Sequence, residues 1–428
     1  MLNYQKQLCG QESAGMSHKP KCPIFAANQR NIDSMKLYPL TDKKDWRLFH
    51  RAPHRVYQGD PLWVAPLEED IESIFDPAKN AALEEGEAQL WVLLDERDRP
   101  AGRVAAFIDH ARNRALPHPV GGLGFFECVD REDYAHALLE AAEGWLKQKG
   151  ARAVDGPINF GERDKYWGLL VKGHGYMPLF QENYQPAYYR RFFEQRDYQP
   201  FEQILTLHGV PKDIPFDRFN RVIERLKARY DVQVHTLDWS KLPRYAADFC
   251  EIYNVAFGEY EHFKPIVPEQ VEQVLRQAKP IADTNTLGIA YFEGKPAGFL
   301  ALFPDINPLL QPARGKLNWR TLPGFLWRRF RTNHYGTKGI GFGIHPDYKT
   351  KGIFAFITNY LAFPETLEKY TDLYLATVRA HNTEAVSIYF KLGVRVQRVH
   401  IAFRKALAED VPIEPYTFID PDHFAAGK

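Results

Sequence analysis

The chain has 428 residues, 45% hydrophobic and 25% charged, with a formal net charge of +1. That length makes two domains the natural expectation, each able to bury its own core, and near-neutrality leaves no electrostatic footprint for nucleic acid. Four scattered cysteines (Cys9, Cys22, Cys128, Cys250) lack zinc-site spacing, so a reducing, cytoplasmic setting is the default, and no apolar run approaches the roughly 20 residues that span a bilayer.

Residues 1–34 show neither a continuous apolar signal core nor a periodic face, and read as a disordered leader before Met35. Met35–Leu40 reads as a first strand. Lys43–Tyr57 is helical in pattern but broken by Pro53, which removes an amide donor. His50 and His54 have the i, i+4 spacing of a helical metal pair. With no acidic ligand beside them they read as surface residues, and no metal site is expected. The acidic run Glu68-Glu69-Asp70 and Glu72 reads as a solvated helix face. Gln89–Ile108 is a hairpin turning at Asp95–Pro100, Gly121–Val129 a strand, Tyr134–Lys149 an amphipathic helix closed by Gly150, and Ala151–Gly156 a strand. Such alternation predicts a mixed α/β sheet. Asn159–Tyr189, rich in aromatics, glycine and polar groups, carries two readings of equal weight. It forms one wall of a cleft between domains, or it is an ordered loop covering the first sheet.

The second half repeats this layout. Thr286–Phe303 is a hairpin whose Lys295-Pro-Ala-Gly-Phe-Leu-Ala-Leu-Phe matches Arg99-Pro-Ala-Gly-Arg-Val-Ala-Ala-Phe. Phe193-Glu-Gln-Arg-Asp-Tyr198 aligns with Tyr389-Phe-Lys-Leu-Gly-Val394 at the same offset of 196 residues. A shared offset argues for duplication, with units 35–208 and 209–428 joined near His208–Pro215. The second unit contains a β-type run, Gly339–Ile344, stopping at His345-Pro346. A polar corner then leads to Gly352 and an apolar helix. Amide groups at such a helix start, with Lys349 and Lys351 nearby, make a pyrophosphate cradle. Gly339-Ile-Gly-Phe-Gly343 mimics a dinucleotide loop but lies inside the strand pattern, so that reading is rejected.

Lys349-Thr-Lys-Gly352-Ile-Phe354, followed by Asn382, Ala385, Tyr389 and Gly393-Val394, resembles the signature of the GNAT superfamily of acyl-CoA-dependent N-acyltransferases. Lys349 replaces the family's Gln or Arg, and Phe354 stands where a tiny residue is usual. The resemblance implies two tandem GNAT-like domains in an α/β fold, each a mixed, mostly antiparallel sheet flanked by helices. It implies acetyl-CoA or another acyl-CoA as co-substrate, with no permanently bound cofactor, and a primary amine as acceptor. Ile344, Lys349, Lys351, Gly352, Ile353, Phe354, Ala355 and Asn382 would then bind the donor, and Tyr389 would act as acid toward the leaving thiolate. Asn382 is equally a good N-cap for the helix beginning at Thr383, and Tyr389 is otherwise a packed helix tyrosine. In the first unit Asp130-Arg-Glu-Asp-Tyr134 has no glycine and would repel a pyrophosphate, and Phe193 lacks the hydroxyl of Tyr389. That unit is expected to be non-catalytic. Glu259, Glu261 and His262 sit where the family places a substrate-lining segment, and Asp305 and Asn307 are further polar candidates. The general base is not legible.

Overall layout and segments such as Phe303-Pro-Asp-Ile-Asn307 are also similar to two-copy bacterial GNAT proteins of the ceramide-synthase type, which adds a long-chain donor and a lipid amine to the possible substrates. A degenerate, non-enzymatic GNAT pair is the rival class. Arg314–Arg331 interleaves aromatics with basic residues. That pattern suits peripheral contact with an anionic membrane, and equally an insertion whose aromatics pack over the sheet while its arginines face water.

Overall fold

The computed structural model describes residues 35–258, 265–332 and 335–420. The leader, 1–34, lies outside the described residues. Through the first half run β1 (Lys36–Pro39), α1 (Lys43–Val56), α2 (Glu68–Ile74), β2 (Gly86–Leu94), β3 (Pro100–Asp109), α3 (His110–Asn113), β4 (Val120–Cys128), α4 (Glu132–Gln148), β5 (Ala153–Gly156), β6 (Leu169–Lys172), α5 (Tyr189–Glu194) and β7 (Gln199–Gly209). The second half contains α6 (Phe216–Lys227), β8 (Val232–Thr236), α7 (Leu242–Phe257), α8 (Pro268–Ala278), β9 (Leu287–Phe292), β10 (Lys295–Pro304), α9 (Asn307–Leu310), α10 (Leu322–Arg331) and β11 (Tyr335–Ile344). It ends with α11 (Ile353–Tyr360), α12 (Pro364–Lys369), β12 (Tyr370–Arg379), α13 (Thr383–Phe390) and β13 (Arg395–Ala406).

The strands form one mixed sheet, ordered β1-β2-β3-β4-β5-β13-β7-β12-β11-β10-β9-β8, with β6 added onto β13. Only β4/β5 and β11/β12 pair in parallel, and the other pairs are antiparallel. Each half therefore contributes a hairpin, a third strand, a crossover helix and a parallel fourth strand, in the right order for β-α-β connections. The final strands cross over. β13, last in the second half, lies against β5 of the first, while β7, last in the first half, lies against β12 of the second. A boundary at 208/209 falls at the end of β7, so the two halves in chain order share a continuous sheet.

Helices cover both faces. Beneath the second half, α6, α11 and α13 pack Phe219, Ile223, Ile353, Phe356, Ile357 and Val386 against Leu205, Leu207, Leu300, Leu373 and Leu375. On the opposite face, α7 and α8 pack Tyr245, Ile252 and Leu275 against Ile289, Phe299 and Ala301. In the first half α4 supplies Leu138, Leu139, Ala142 and Leu146 to a core with Leu93, Val104 and Phe193.

The expected break at Pro53 does not occur, since α1 is continuous from Lys43 to Val56. Pro53 has no amide to offer the Phe49 carbonyl four residues back. The buried Arg103 guanidinium donates to that carbonyl instead at 3.3 Å, with its carbon 4.7 Å over the Phe49 ring. His50 is also not a surface residue. It is 6% exposed and bonds Glu72 at 3.0 Å, and folding brings Glu68 alongside both. Lys316 supplies a counter-charge to Glu68 at 3.4 Å, so this grouping is an ion-paired cluster. The β9–β10 hairpin turns at Glu293-Gly294, both with positive φ, and Gly339–Gly343 lies within β11.

Candidate active site

The candidate donor site begins where β11 ends. The His345 amide donates to Ala297 at 2.9 Å, closing the β10–β11 ladder. Pro346–Lys351 then form a tight 3₁₀ stretch, entered by His345 Nδ1 accepting from the Asp347 amide at 3.3 Å. Gly352 turns the chain with φ of +76° and caps α11. A Cβ there would lie 2.2 Å from Leu226 Cδ1 on α6, so both backbone angle and close approach demand glycine. Beyond the turn, Ile353 and Ala355 are buried in the core, and Ile344 packs half-buried beside them. The Phe354 ring turns into the protein, edge-on to Phe219 at 5.8 Å and to Phe342 at 5.2 Å. Lys349 is exposed, whereas the Lys351 ammonium rests 4.9 Å above the Tyr230 ring and 5.9 Å from that of Phe292.

Beside this turn the sheet opens. Parallel pairing of β11 with β12 ends at Gly339 and Leu375. Both strands then run on separately, β11 to Ile344 along β10 and β12 to Arg379 along β7. The result is a wedge between residues 340–344 and 376–379. On one face of it, Phe342 stands between Phe354 and Tyr389, whose rings lie edge-on with centroids 6.4 Å apart for the latter pair. Tyr389 is half-buried on α13, and Asn382 Oδ1 caps that helix by accepting from the Ala385 amide at 3.1 Å. The structure thus brings Gly352, Ile353, Phe354, Ala355, Ile344 and Tyr389 around one side of the wedge. Asn382 starts the same helix as Tyr389.

On the other face, the 159–189 segment of the first half reaches into the second. Phe160, Tyr166 and Trp167 pack against Phe107 and Ile204 over the first sheet, while the stretch 177–182 is fastened to β10 and β11. The reading as an ordered loop covering the first sheet thus fits its 160–167 part, while 178–180 bond to residues of the second half. Asp305 and Asn307 do the fastening. Asp305 Oδ1 accepts from the amides of Phe180 at 3.0 Å and Asn307 at 3.3 Å, and Asn307 Nδ2 donates to the Pro178 carbonyl at 2.8 Å. Burial pushes the Asp305 carboxyl up to about 6, against the pull of those amides. The Lys338 ammonium donates to the Phe180 carbonyl at 2.6 Å, and burial lowers its pKa despite Asp164, Glu182 and Asp305 nearby. Deeper still, Arg398 pairs with Glu182 at 2.9 Å.

Asp164 belongs to this face as well. Its residue surface is exposed, yet surrounding protein desolvates its carboxyl and raises its pKa, with Glu162 adding to the rise and Lys338 opposing it. Thr377 fixes the position by donating its hydroxyl to the Asp164 carbonyl at 3.4 Å from the splayed part of β12. Thr377 itself has φ of +58°, an outlier for a β-branched residue, and strain of this kind concentrates at working sites. Tyr253 on α7 faces the same carboxylates, and burial raises its pKa first, with Asp164 and Glu162 adding to it. Nearby, Glu202 is bonded by Arg163, by Trp167 Nε1 at 3.0 Å and by Arg379 at 3.3 Å. Sequence reasoning singled out the 159–189 segment without naming Asp164, and it gave Lys338 no role. Glu259, Glu261 and His262 lie outside the described residues; on either side of them, Asn254 bonds both main-chain groups of Ile266 at 2.9 Å.

The first half has the corresponding strands without the opening. Pairing of β4 with β5 ends at Gly122 and Asp155, but the chain folds back at once, the Ile158 amide donating to the Leu123 carbonyl at 2.8 Å. A Cβ on Gly124 would lie 2.0 Å from the Ile158 oxygen. Phe193, the counterpart of Tyr389, is fully buried. On β4, Glu127 accepts from Tyr57 at 2.7 Å and Tyr189 at 2.9 Å and faces Arg103 at 3.7 Å, beside a cavity of about 30 Å³, room for about one water.

No family model matches the chain. Over 303 residues it is 26% identical to "Bacterial ceramide synthase" of Caulobacter vibrioides, covering 69% of this chain and 76% of that protein. It is 24% identical over 312 residues to "Protein YghO" of Escherichia coli, covering 72% and 78%. Among solved structures, a tandem GNAT protein from the clavulanic acid biosynthesis pathway superposes on 88% of this chain and 100% of its own, with a TM-score of 0.48 and 11% identity. In sequence the chain is similar to a bacterial ceramide synthase, and in structure it has a likeness to a tandem GNAT protein.

Proposed function

We propose that this protein is an N-acyltransferase that moves an acyl group from acyl-CoA to a primary amine by direct attack. The carrying observation is the wedge between β11 and β12, with the Gly352 turn and Tyr389 on one side and the polar groups Asp164, Lys338 and Tyr253 near the other. In this reading the second half, 209–428, binds the donor, and the first half, 35–208, is non-catalytic because the chain closes its wedge at Ile158. The amides at the start of α11 receive the pyrophosphate, Lys349 adds counter-charge, and the pantetheine arm follows the wedge past Ile344, Phe354 and Asn382.

The acceptor enters from the side of Asp164, Lys338 and Tyr253. The neutral amine nitrogen attacks the thioester carbonyl carbon, and a C–N bond forms as the C–S bond breaks. The proton lost by nitrogen goes to the Asp164 carboxylate, while the Tyr389 hydroxyl gives its proton to the thiolate. Exchange with water restores both groups. Holding donor and acceptor on opposite faces of one wedge supplies the orientation that makes direct attack fast. Similarity to the ceramide synthase favours a long-chain acyl donor and a lipid amine over a small acceptor.

Thiol release from acetyl-CoA and long-chain acyl-CoA, measured against short-chain and long-chain amines, tests this reading together with a CoA thermal-shift titration. A ligand at one hundred times its dissociation constant stabilises by about 2.7 kcal/mol. Amine-dependent thiol release is expected. No thermal shift and no release with either donor would replace the enzyme by a non-enzymatic pair of GNAT-like units.

A further inference from the structure

The residues 314–331 contain six Arg or Lys and no Asp or Glu. In an ordinary surface helix the apolar stripe turns inward. Here it turns outward. Leu322, Leu326 and Phe330 share one stripe of α10 at four-residue spacing and are 40%, 40% and 81% exposed, with Trp327 beside them at 60% and Trp319 just upstream at 77%. The expected packing of aromatics over the sheet is thus limited to Phe325, which is buried with Val64, Ile306, Leu309, Leu310 and Tyr370.

The platform is firmly held. Arg328 points inward and donates to the Leu309 carbonyl at 3.0 and 3.2 Å, and the Glu68 amide donates to the Gly315 carbonyl at 2.8 Å. Outward, each exposed tryptophan carries its own cation. The Arg320 guanidinium lies 4.9 Å over the Trp319 ring, and that of Arg331 lies 5.1 Å over Trp327. An indole with a guanidinium on its face has an apolar body for the acyl–headgroup boundary and a charge for a lipid phosphate.

We propose that this surface docks the protein on an anionic lipid bilayer, with Trp319, Trp327 and Phe330 inserted at headgroup depth and Arg320 and Arg331 on lipid phosphates. Charge complementarity selects this occupant, because Arg320 and Arg331 accompany the exposed rings and residues 314–331 contain no carboxylate, on a chain of net charge +1. The docking surface stands apart from the acyl-transfer chemistry and needs no substrate to form.

Flotation of the full-length protein with vesicles of phosphatidylcholine and phosphatidylglycerol in equal parts, and with phosphatidylcholine alone, tests it. Wild type should float with the mixed vesicles, and salt should weaken binding. Trp319→Ser/Trp327→Ser/Phe330→Ser should reduce it by roughly a hundredfold or more. Arg320→Gln/Arg331→Gln should weaken it by about fivefold per charge on mixed vesicles only. All five side chains are exposed, so unchanged melting confirms the fold. Quenching of wild-type tryptophan fluorescence by bromine-labelled lipid gives a readout without any variant. Wild type that stays with the soluble fraction at low salt overturns the proposal, as does a triple variant that floats equally well. A self-associating wild type that ignores vesicles, and is made monomeric by the triple variant, would assign the patch to a second copy and overturn it too.

Discussion

Tyr389 meets the wedge through the edge of its ring against Phe342, and removing its hydroxyl leaves that ring contact in place. Tyr389→Phe should lower kcat by roughly tenfold to a hundredfold with the donor KM nearly unchanged, because the hydroxyl matters when the thiolate departs. Wild-type turnover in steady-state assays would leave Tyr389 a packing residue. Across the wedge, desolvation and Glu162 raise the Asp164 carboxyl above the ordinary carboxylate range. Wild-type kcat/KM should therefore fall as pH drops through that raised value, where the base becomes protonated. Asp164→Asn should be slow throughout and lack this acid limb, and an identical pH profile in the variant would remove Asp164 from the proton path. Asp305 makes the opposite prediction, about stability. Its folded pKa of about 6 lies above the reference 3.8, so folding takes up a proton. The associated stability is fully present below about pH 4 and is lost as pH rises through about 6. Asp305→Asn keeps an acceptor for the Phe180 amide and should stabilise the protein by up to about 3 kcal/mol at pH 8, with little change near pH 4. Denaturant titrations at the two pH values decide it.

At the scale of elements, the hairpins, α4 and the strand–turn–helix around Gly352 were legible because their signals are local, resting on alternation, turn residues and a glycine that only one backbone angle explains. Pro53 was misleading for the same reason. The sequence window around it contains the lost amide but not Arg103, which comes from β3 to bond the Phe49 carbonyl. Asp164 was hidden because Lys338, Thr377 and Tyr253, which join Glu162 around it, come from β11, β12 and α7, far from it in sequence. Asp305 and Asn307 were rightly singled out as polar groups at a strand end, yet their hydrogen bonds hold the 178–180 stretch in place. The α1–β3 contact carries its own prediction. Arg103 is 2% exposed and faces Glu127, which accepts from Tyr57 and Tyr189 as well. Arg103→Leu would leave that carboxylate and the Phe49 carbonyl without their cation, and should cost about 3–5 kcal/mol. A melting curve superposing on wild type would show the network to be dispensable.

The whole molecule is organised by the central pair β7 and β13, each lodged against a strand of the other half. Duplication was readable from the shared offset, but crossing of the final strands was not, since two copies with uncrossed ends would read identically. The crossing predicts that a fragment of residues 35–214 expressed alone will aggregate, because β5 lacks β13 and β7 has both edges open. Coexpressed with a fragment of residues 215–420, it should yield a soluble pair that copurifies. A monomeric, cooperatively melting 35–214 fragment would contradict the sheet order. The same crossing bears on synthesis. When β7 leaves the ribosome, the first half cannot yet complete its sheet, because the strand that fills the gap beside β5 is 196 residues further along the message. At 5–20 residues per second that interval is roughly 10–40 s. Throughout it an unpaired strand edge is open to other nascent chains on the same polysome, so codon speed through the second half and early chaperone capture should govern the yield of active protein more than the stability of the finished fold.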